Sequence, residues 1–253
     1  MLISVIVPSF NVIETIPRAL DSVVSQVGAS YEIVVADGGS TDGTAEYLSS
    51  QQGRLRWIPG PDAGQSDAMN KGMQIAQGDV WVFLNADDEF LPGTFGRVAE
   101  AFEANADANM VIGGLRVVRS DHTRDCYPKL SAMSLVGEAG DWPYNPVCYF
   151  ARKELVQRIG PFPLSLHYAM DYWWLLRALR WARPEYIDHI CGCFYNFDGN
   201  KTSNRLESAL DKYKVRRRFL MSPAGLRFVP TLLKCQYWRW EHQRNQRKSC
   251  SSS

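Results

Sequence analysis

Apolar and polar positions alternate in blocks along the first 110 residues, and the blocks take strand and helix character in turn. Leu2–Val7, Glu32–Ala36 and Asp79–Leu84 are short runs rich in valine and isoleucine, the signature of strands buried on both faces. Between them the period lengthens: Ile16, Leu20, Val23 and Val24 make a helical stripe within Ile13–Gln26. The same pattern predicts a strand at Arg54–Ile58 and helices at Thr44–Gln52, Ser66–Gln77 and Gly93–Ala106. Strand–helix alternation of this kind predicts an α/β fold with a mainly parallel central sheet flanked by helices. Ligands of such sheets gather at the carboxyl ends of the strands.

The second half is less regular. Met110–Val118 is extended around Gly113-Gly114, and residues 120–145 are irregular and rich in Trp, Tyr and Pro. A strand is expected at Asn145–Ala151, helices at Lys153–Ile159 and Met170–Trp181, and an extended segment at Tyr186–Phe197. From Ser203 the chain is helical in pattern, with a break at Pro223.

Composition adds one point. With 45% hydrophobic and 22% charged residues the chain is globular in type. Its formal net charge of +1 hides an asymmetry. Eleven of the 28 lysines and arginines lie from Lys212 onward against a single acid, Glu241, which leaves an acidic body and a basic tail. The six cysteines form no C-x-x-C pair, and Cys191-Gly192-Cys193 is spaced for a strand rather than for zinc. The chain opens directly on strand-forming residues and has no apolar run long enough to span a bilayer, so a reducing cytoplasmic setting is expected.

Candidate chemistry collects at the strand ends. Val80–Leu84 runs straight into Asn85-Ala86-Asp87-Asp88. Adjacent carboxylates beside a core repel each other and resist desolvation, whereas they suit Mg²⁺ or Mn²⁺, which in turn suit phosphate oxygens. Asp37-Gly38-Gly39-Ser40-Thr41-Asp42-Gly43 is a glycine-rich strand-to-helix loop whose Asp37 could accept from a base N–H. The competing reading is a tight turn capped by Asp42 or Ser40. Asp67, Asn70 and Lys71 share a helical face, from which Lys71 could reach a phosphate, or pair with Asp67 on a solvated surface.

Four blocks taken together resemble the family 2 glycosyltransferases: Val5–Asn11, Asp37–Thr44, Asp62-Ala63-Gly64-Gln65 through Asn70-Lys71-Gly72, and Leu84–Asp88. Their order and separations match as well, over roughly residues 1–200. The resemblance implies a GT-A fold, a UDP-, dTDP- or GDP-sugar donor, a divalent metal (Mn²⁺ or Mg²⁺) and inversion at the anomeric carbon. It implies that Pro8, Phe10 and Asn11 line the nucleotide, that Asp37 meets the base, and that Asp62 and Lys71 help hold nucleoside or diphosphate. Asp87 would meet the ribose and Asp88 the metal. Asn85 stands where the usual motif begins with a carboxylate.

Leu166–Arg177 resembles the family's segment carrying the catalytic base, with Met170-Asp171 in place of an acidic pair, so Asp171 is the carboxylate for that role. Inverting transfer needs one base to take the acceptor hydroxyl proton. The flanking indoles could raise the pKa of Asp171, and the helix dipole gives a purely structural reason for an acid there. Trp142, Trp173 and Trp174 are candidates for stacking on an acceptor sugar. His167 is more simply structural. The late loop Asp198–Ser203 lacks the histidine that family members often place near the diphosphate, and Lys201 could contact phosphate instead.

The expected organisation is a donor half (1–110), an acceptor and catalytic-base half of the same domain (111–202) and a basic helical tail (203–253). The acceptor would be a saccharide or a lipid-linked sugar. The tail mixes Lys and Arg with Phe219, Trp238 and Trp240, which suits an anionic membrane surface, here the inner face of the cell membrane. Packing on the body is the alternative, and an acidic body argues against nucleic acid. Two other functions compete: a nucleotide-sugar-binding protein without turnover, kept open by Asn85 and Met170, and a sugar nucleotidylyltransferase. The latter wants a Gly-rich basic loop after the first strand, which Pro8-Ser9-Phe10-Asn11 does not supply.

Overall fold

The computed structural model describes residues 1–131, 135, 145–196, 205–226 and 230. Nine strands among these residues form one sheet. Four of them, β3 (Arg56–Pro59), β2 (Ser30–Asp37), β1 (Leu2–Ser9) and β4 (Val80–Phe83), lie side by side and parallel. β1 is buried on both faces, which explains its unbroken apolar run.

Helices connect these strands. α1 (Ile16–Val24) follows β1, with a proline in its first turn where no N–H is needed. α2 (Thr44–Ser50) follows β2 and starts at Gly43, whose φ of 100° places it in the left-handed region. α3 (Gln65–Ile75) follows β3 and packs on β1 and β2. Beyond β4 come β5 (Glu89–Phe90), α4 (Thr94–Ala104), β6 (Met110–Val118) and β7 (Thr123–Cys126). A 3₁₀ turn at Pro146–Cys148 leads into β8 (Tyr149–Arg152), α5 (Lys153–Ile159), α6 (Met170–Ala178) and β9 (Pro184–Tyr195). The chain then enters α7 (Arg205–Leu220) and α8 (Pro223–Leu226).

The parallel arrangement expected from the alternation holds for β3-β2-β1-β4. The second half makes the sheet mixed: β8 pairs antiparallel with both β4 and β6, and β6 pairs parallel with β9. Two antiparallel steps restore direction, so β6 and β9 point the same way as β4. The carboxyl ends of β1, β2, β3, β4, β6 and β9 therefore share one edge, joined there by the start of β8. One core cluster runs from Ile3 and Val5 through Phe83 and Tyr149 to Trp174 and Val215, spanning both halves. The strand at Thr123–Cys126 lies in a stretch expected to be irregular; it is exposed until Cys126, so no apolar alternation marks it.

Cys126, Cys148, Cys191 and Cys193 are buried free thiols, with the last two on β9. Among the described residues no helix is long and apolar enough to cross a membrane. Trp142, Tyr144, Asp198, Lys201 and most of the basic tail lie outside the described residues.

Gly72 sets how closely α3 approaches the sheet. A Cβ there would sit 2.4 Å from Ile6 Cγ2, on a strand with no room to yield. Gly72→Val is expected to destabilise the fold by about 2–3 kcal/mol through overpacking, read as a lower urea midpoint.

Candidate active site

The shared edge begins with the loops after β1 and β2. Asp37 ends β2 and is buried, and its carboxylate is fully engaged by its own loop. The Ser9 and Ser40 hydroxyls donate to Oδ1 (3.0 and 2.5 Å), and the Gly39 and Ser40 amides donate to Oδ2 (3.1 and 3.0 Å). A carboxylate offers about four acceptor positions, and these four bonds fix the shape of the loop at the end of β2, where a base contact is expected of Asp37. Asn11, at φ 52°, is the one non-glycine with positive φ among the described residues. It is held from both sides: its amide donates to Ser40 Oγ (2.8 Å), and its Oδ1 accepts from the Thr41 amide (2.9 Å). Pro8 is buried within β1, while Phe10 is 60% exposed at the rim.

The loop after β3 closes on the same place. Asp62 accepts from the Gly64 amide (2.7 Å), and a Cβ at Gly38 would lie 2.8 Å from Asp62 Oδ2. Gly38 is therefore needed for these two loops to meet. Lys71 does not project freely. Its ammonium donates to the Pro61 carbonyl (2.9 Å) and pairs with Asp67 (3.1 Å), which ties α3 to the Asp62 loop. Asp67 also accepts from the Ala63 amide (3.0 Å) and so closes the start of α3. The Ser66 hydroxyl is buried without a hydrogen-bond partner.

Asp88 lies at the centre of the edge and is fully buried. Its Oδ2 accepts from Asn85 Nδ2 and Asn145 Nδ2, both at 2.9 Å, and its Oδ1 receives the Tyr195 amide at 3.4 Å. Burial, reinforced by the neighbouring Asp87, pushes the Asp88 carboxyl up to about 8. Burial also raises Asp87. Asn85 now has a physical reason. Its amide can donate to Asp88 while its Oδ1 accepts from Gln65 Nε2 (2.8 Å), which a carboxylate there could not do. Arg18 donates to the Asp87 carbonyl (2.7 Å) and lies over the Tyr195 ring (4.1 Å), and Tyr195 in turn bonds Glu89.

Among the described residues no cluster of three His, Cys, Asp or Glu could hold a metal, and the adjacent Asp87 and Asp88 are the acids that the end of β4 brings to this edge. That donor set fits a hard divalent cation that completes its shell with phosphate oxygens and water. Asp88 is closed by its two amide donors, so binding requires them to turn away.

Asp171 sits half-buried in the first turn of α6 and accepts from the Tyr172 amide (2.7 Å). Trp174, one turn further along α6, stacks on Tyr149 at the start of β8, so the first turn of α6 packs near that end of the strand. Residues 145–149 therefore touch Asp88 at one end and α6 at the other. Trp174 is not available to an acceptor. It is fully buried, stacked on Tyr149 (5.6 Å, 12°) and on Phe162 (6.3 Å), because position 174 faces the core side of α6. Trp173 is half-buried with the Arg177 guanidinium over its ring at 4.7 Å. His167 is exposed, its ring meeting Tyr168 edge-on.

A family model described as glycosyl transferase family 2 matches residues 4–170. This chain belongs to glycosyltransferase family 2. Among relatives of this transferase, a PGL/p-HBAD biosynthesis glycosyltransferase of Mycobacterium tuberculosis is 28% identical over 250 residues, covering 94% of this chain and 90% of the relative. An uncharacterized glycosyltransferase of the same species is 33% identical over 187 residues, covering 72% and 70%. Among solved structures, S. aureus TarS in complex with UDP-GlcNAc matches with a TM-score of 0.71 at 21% identity, over 88% of this chain and 68% of that one. A mannosyltransferase from Pyrobaculum calidifontis, in complex with GDP-Man and Mn²⁺, matches with a TM-score of 0.66 at 18% identity, over 92% and 68%. The fold of this family 2 transferase is accordingly the GT-A α/β fold.

Several residues at this transferase's edge carry no local signature. Asn145, Tyr195, Arg18 and Gln65 reach Asp87, Asp88 or Asn85 only through the fold. Asn145-Pro146 marks a turn in sequence but gives no hint of a partner 57 residues away.

The raised carboxyls have a consequence for metal-free protein. Between about pH 4 and about 8 the native state keeps a proton on Asp88 that the unfolded chain, at an ordinary 3.8, has released. Stability is therefore expected to fall as pH rises through that window. Asp88→Asn should flatten the slope, as read by denaturant titrations in chelator at several pH values.

Proposed function

We propose that this family 2 transferase moves a sugar from a UDP-, dTDP- or GDP-sugar to a hydroxyl of a saccharide or lipid-linked acceptor, with inversion and with a divalent metal, Mn²⁺ or Mg²⁺. The observation that carries the reading is the convergence of the Asn11, Asp37–Gly43, Asp62, Asp87-Asp88 and Asp171 segments on one sheet edge. Residues 145–149 link the Asp88 loop, through Asn145, to the helix that carries Asp171, through the stacking of Tyr149 on Trp174.

In this reading the loops held by Asp37 and Asn11 form the floor for the nucleoside, with Phe10 at the rim, Asp62 opposite and Asp87 toward the ribose. Lys71 acts by fixing the Asp62 loop. Asp88 would hold the metal, which would supply positive charge to the departing diphosphate. Asp171 accepts the acceptor hydroxyl proton. The freed oxygen attacks the anomeric carbon from the side opposite the diphosphate, and the bond to the diphosphate breaks with its electron pair leaving on that group. The positive end of the α6 dipole favours ionised Asp171 before the acceptor arrives. The complexes named above with UDP-GlcNAc and with GDP-Man and Mn²⁺ support a nucleotide-sugar donor and a metal.

The test begins with calorimetry of UDP-, dTDP- and GDP-sugars, with and without Mn²⁺, followed by turnover of the donor that binds. Asp171→Asn should lower kcat by about 10²–10⁴-fold while leaving donor affinity intact. Asp88→Asn should abolish the Mn²⁺-dependent gain in donor affinity. Unchanged turnover in both variants would overturn the assigned roles.

A further inference from the structure

We propose that the outward face of α7 docks this transferase onto an anionic lipid surface. α7 is apolar on two sides. Its inner side packs on α6, with Val215 and Ser208 buried and Asp211 accepting from the Tyr168 amide (3.3 Å). Its outer side carries Leu206, Leu210 and Tyr213, spaced four and three apart and therefore in one stripe, which are 72%, 49% and 63% exposed. Met221, 70% exposed, extends the stripe just past the helix end. Arg217 and Arg218 are exposed at the C-terminal end of it, Lys214 beside them pairs with Asp211 (3.1 Å), and Glu207 is the exposed acid of the first turn, so the positive charge gathers toward the C-terminal half of α7.

An exposed apolar stripe rimmed by lysine and arginine matches a headgroup boundary: the apolar side chains enter the acyl margin while the long cationic side chains reach anionic headgroups. Charge decides among possible occupants. Residues 227–253 carry Arg227, Lys234, Arg239, Arg244, Arg247 and Lys248 against Glu241, so this segment repels the basic rim of α7. An anionic surface attracts both. The acidic remainder of the chain is repelled by the same surface, so docking is oriented with the α7 end first.

Orientation bears on the acceptor. α7 packs against α6, whose first turn carries Asp171, so docking through the outer side of α7 holds the base-bearing helix one helix layer from the lipid, within the region where a lipid-linked hydroxyl would be presented. This step rests on the assignment of Asp171 as base; the docking does not, and it is measured by binding alone.

The experiment is sedimentation of the full chain with phosphatidylcholine vesicles, with and without phosphatidylglycerol. Wild type should partition onto the mixed vesicles only. Leu206→Ser/Leu210→Ser/Tyr213→Ser and, separately, Arg217→Glu/Arg218→Glu should each reduce that partitioning by at least about tenfold. The charge variant alters only exposed side chains, and both variants should keep the wild-type thermal midpoint. Equal wild-type partitioning on both vesicles, or unchanged partitioning of the charge variant, would overturn the proposal.

Discussion

Burying the Asp88 carboxyl at the end of β4 is the constraint around which the rest of the edge is arranged. A carboxyl out of water and next to a second one is costly unless its oxygens are satisfied. The chain satisfies them from three places: Asn85 nearby, Asn145 across 57 residues and Tyr195 across 107. Those long-range bonds require the ends of β4 and β9 to meet the start of β8, which the two antiparallel steps through β8 achieve. The mixed sheet is thus what allows a carboxyl to sit at the centre of the edge. Burial and the neighbouring Asp87 still push the Asp88 carboxyl up to about 8, so the ionised form is disfavoured at this edge.

On the donor side the same logic is applied to backbone rather than charge. Asp37 uses its whole carboxylate to hold the loop that follows β2, and Asn11 accepts a left-handed φ because Ser40 and Thr41 grip it on both sides. Gly38 then lets the Asp62 loop approach to contact distance, and Lys71 anchors that loop to α3. Asn11, Asp37, Asp62 and Lys71 thus hold one another's loops in place. A rigid framework preorganises a site at less cost on binding than flexible contacts would.

Much of this was legible without coordinates. Continuous apolar runs and period-3.6 stripes located the first four parallel strands and their helices to within a few residues, because β1, β2 and β4 are buried along most of their length and the helices bury one stripe. The glycine-rich and acidic blocks at the strand ends were legible because turns and carboxylates leave local marks. β7 was not, since an exposed edge strand such as Thr123–Cys126 carries no apolar face to mark it. Trp174 was assigned to an acceptor from its residue type, yet its position on α6 turns it into the core against Tyr149 and Phe162.

The sequence by itself determined the order of the elements and the strand-end blocks that mark the family, because propensity, periodicity and turn chemistry are local properties. It also determined the charge asymmetry between body and tail. Tertiary structure alone decided which polar atoms are spent inside the fold. Asp37 and Lys71 are consumed by their own loops, Asn85 becomes a donor to Asp88, and Asn145 and Tyr195 enter the site from far along the chain. The reason is physical. A side chain's hydrogen-bonding capacity is finite, and the partners that exhaust it come from strands brought together by sheet order, which no local pattern encodes.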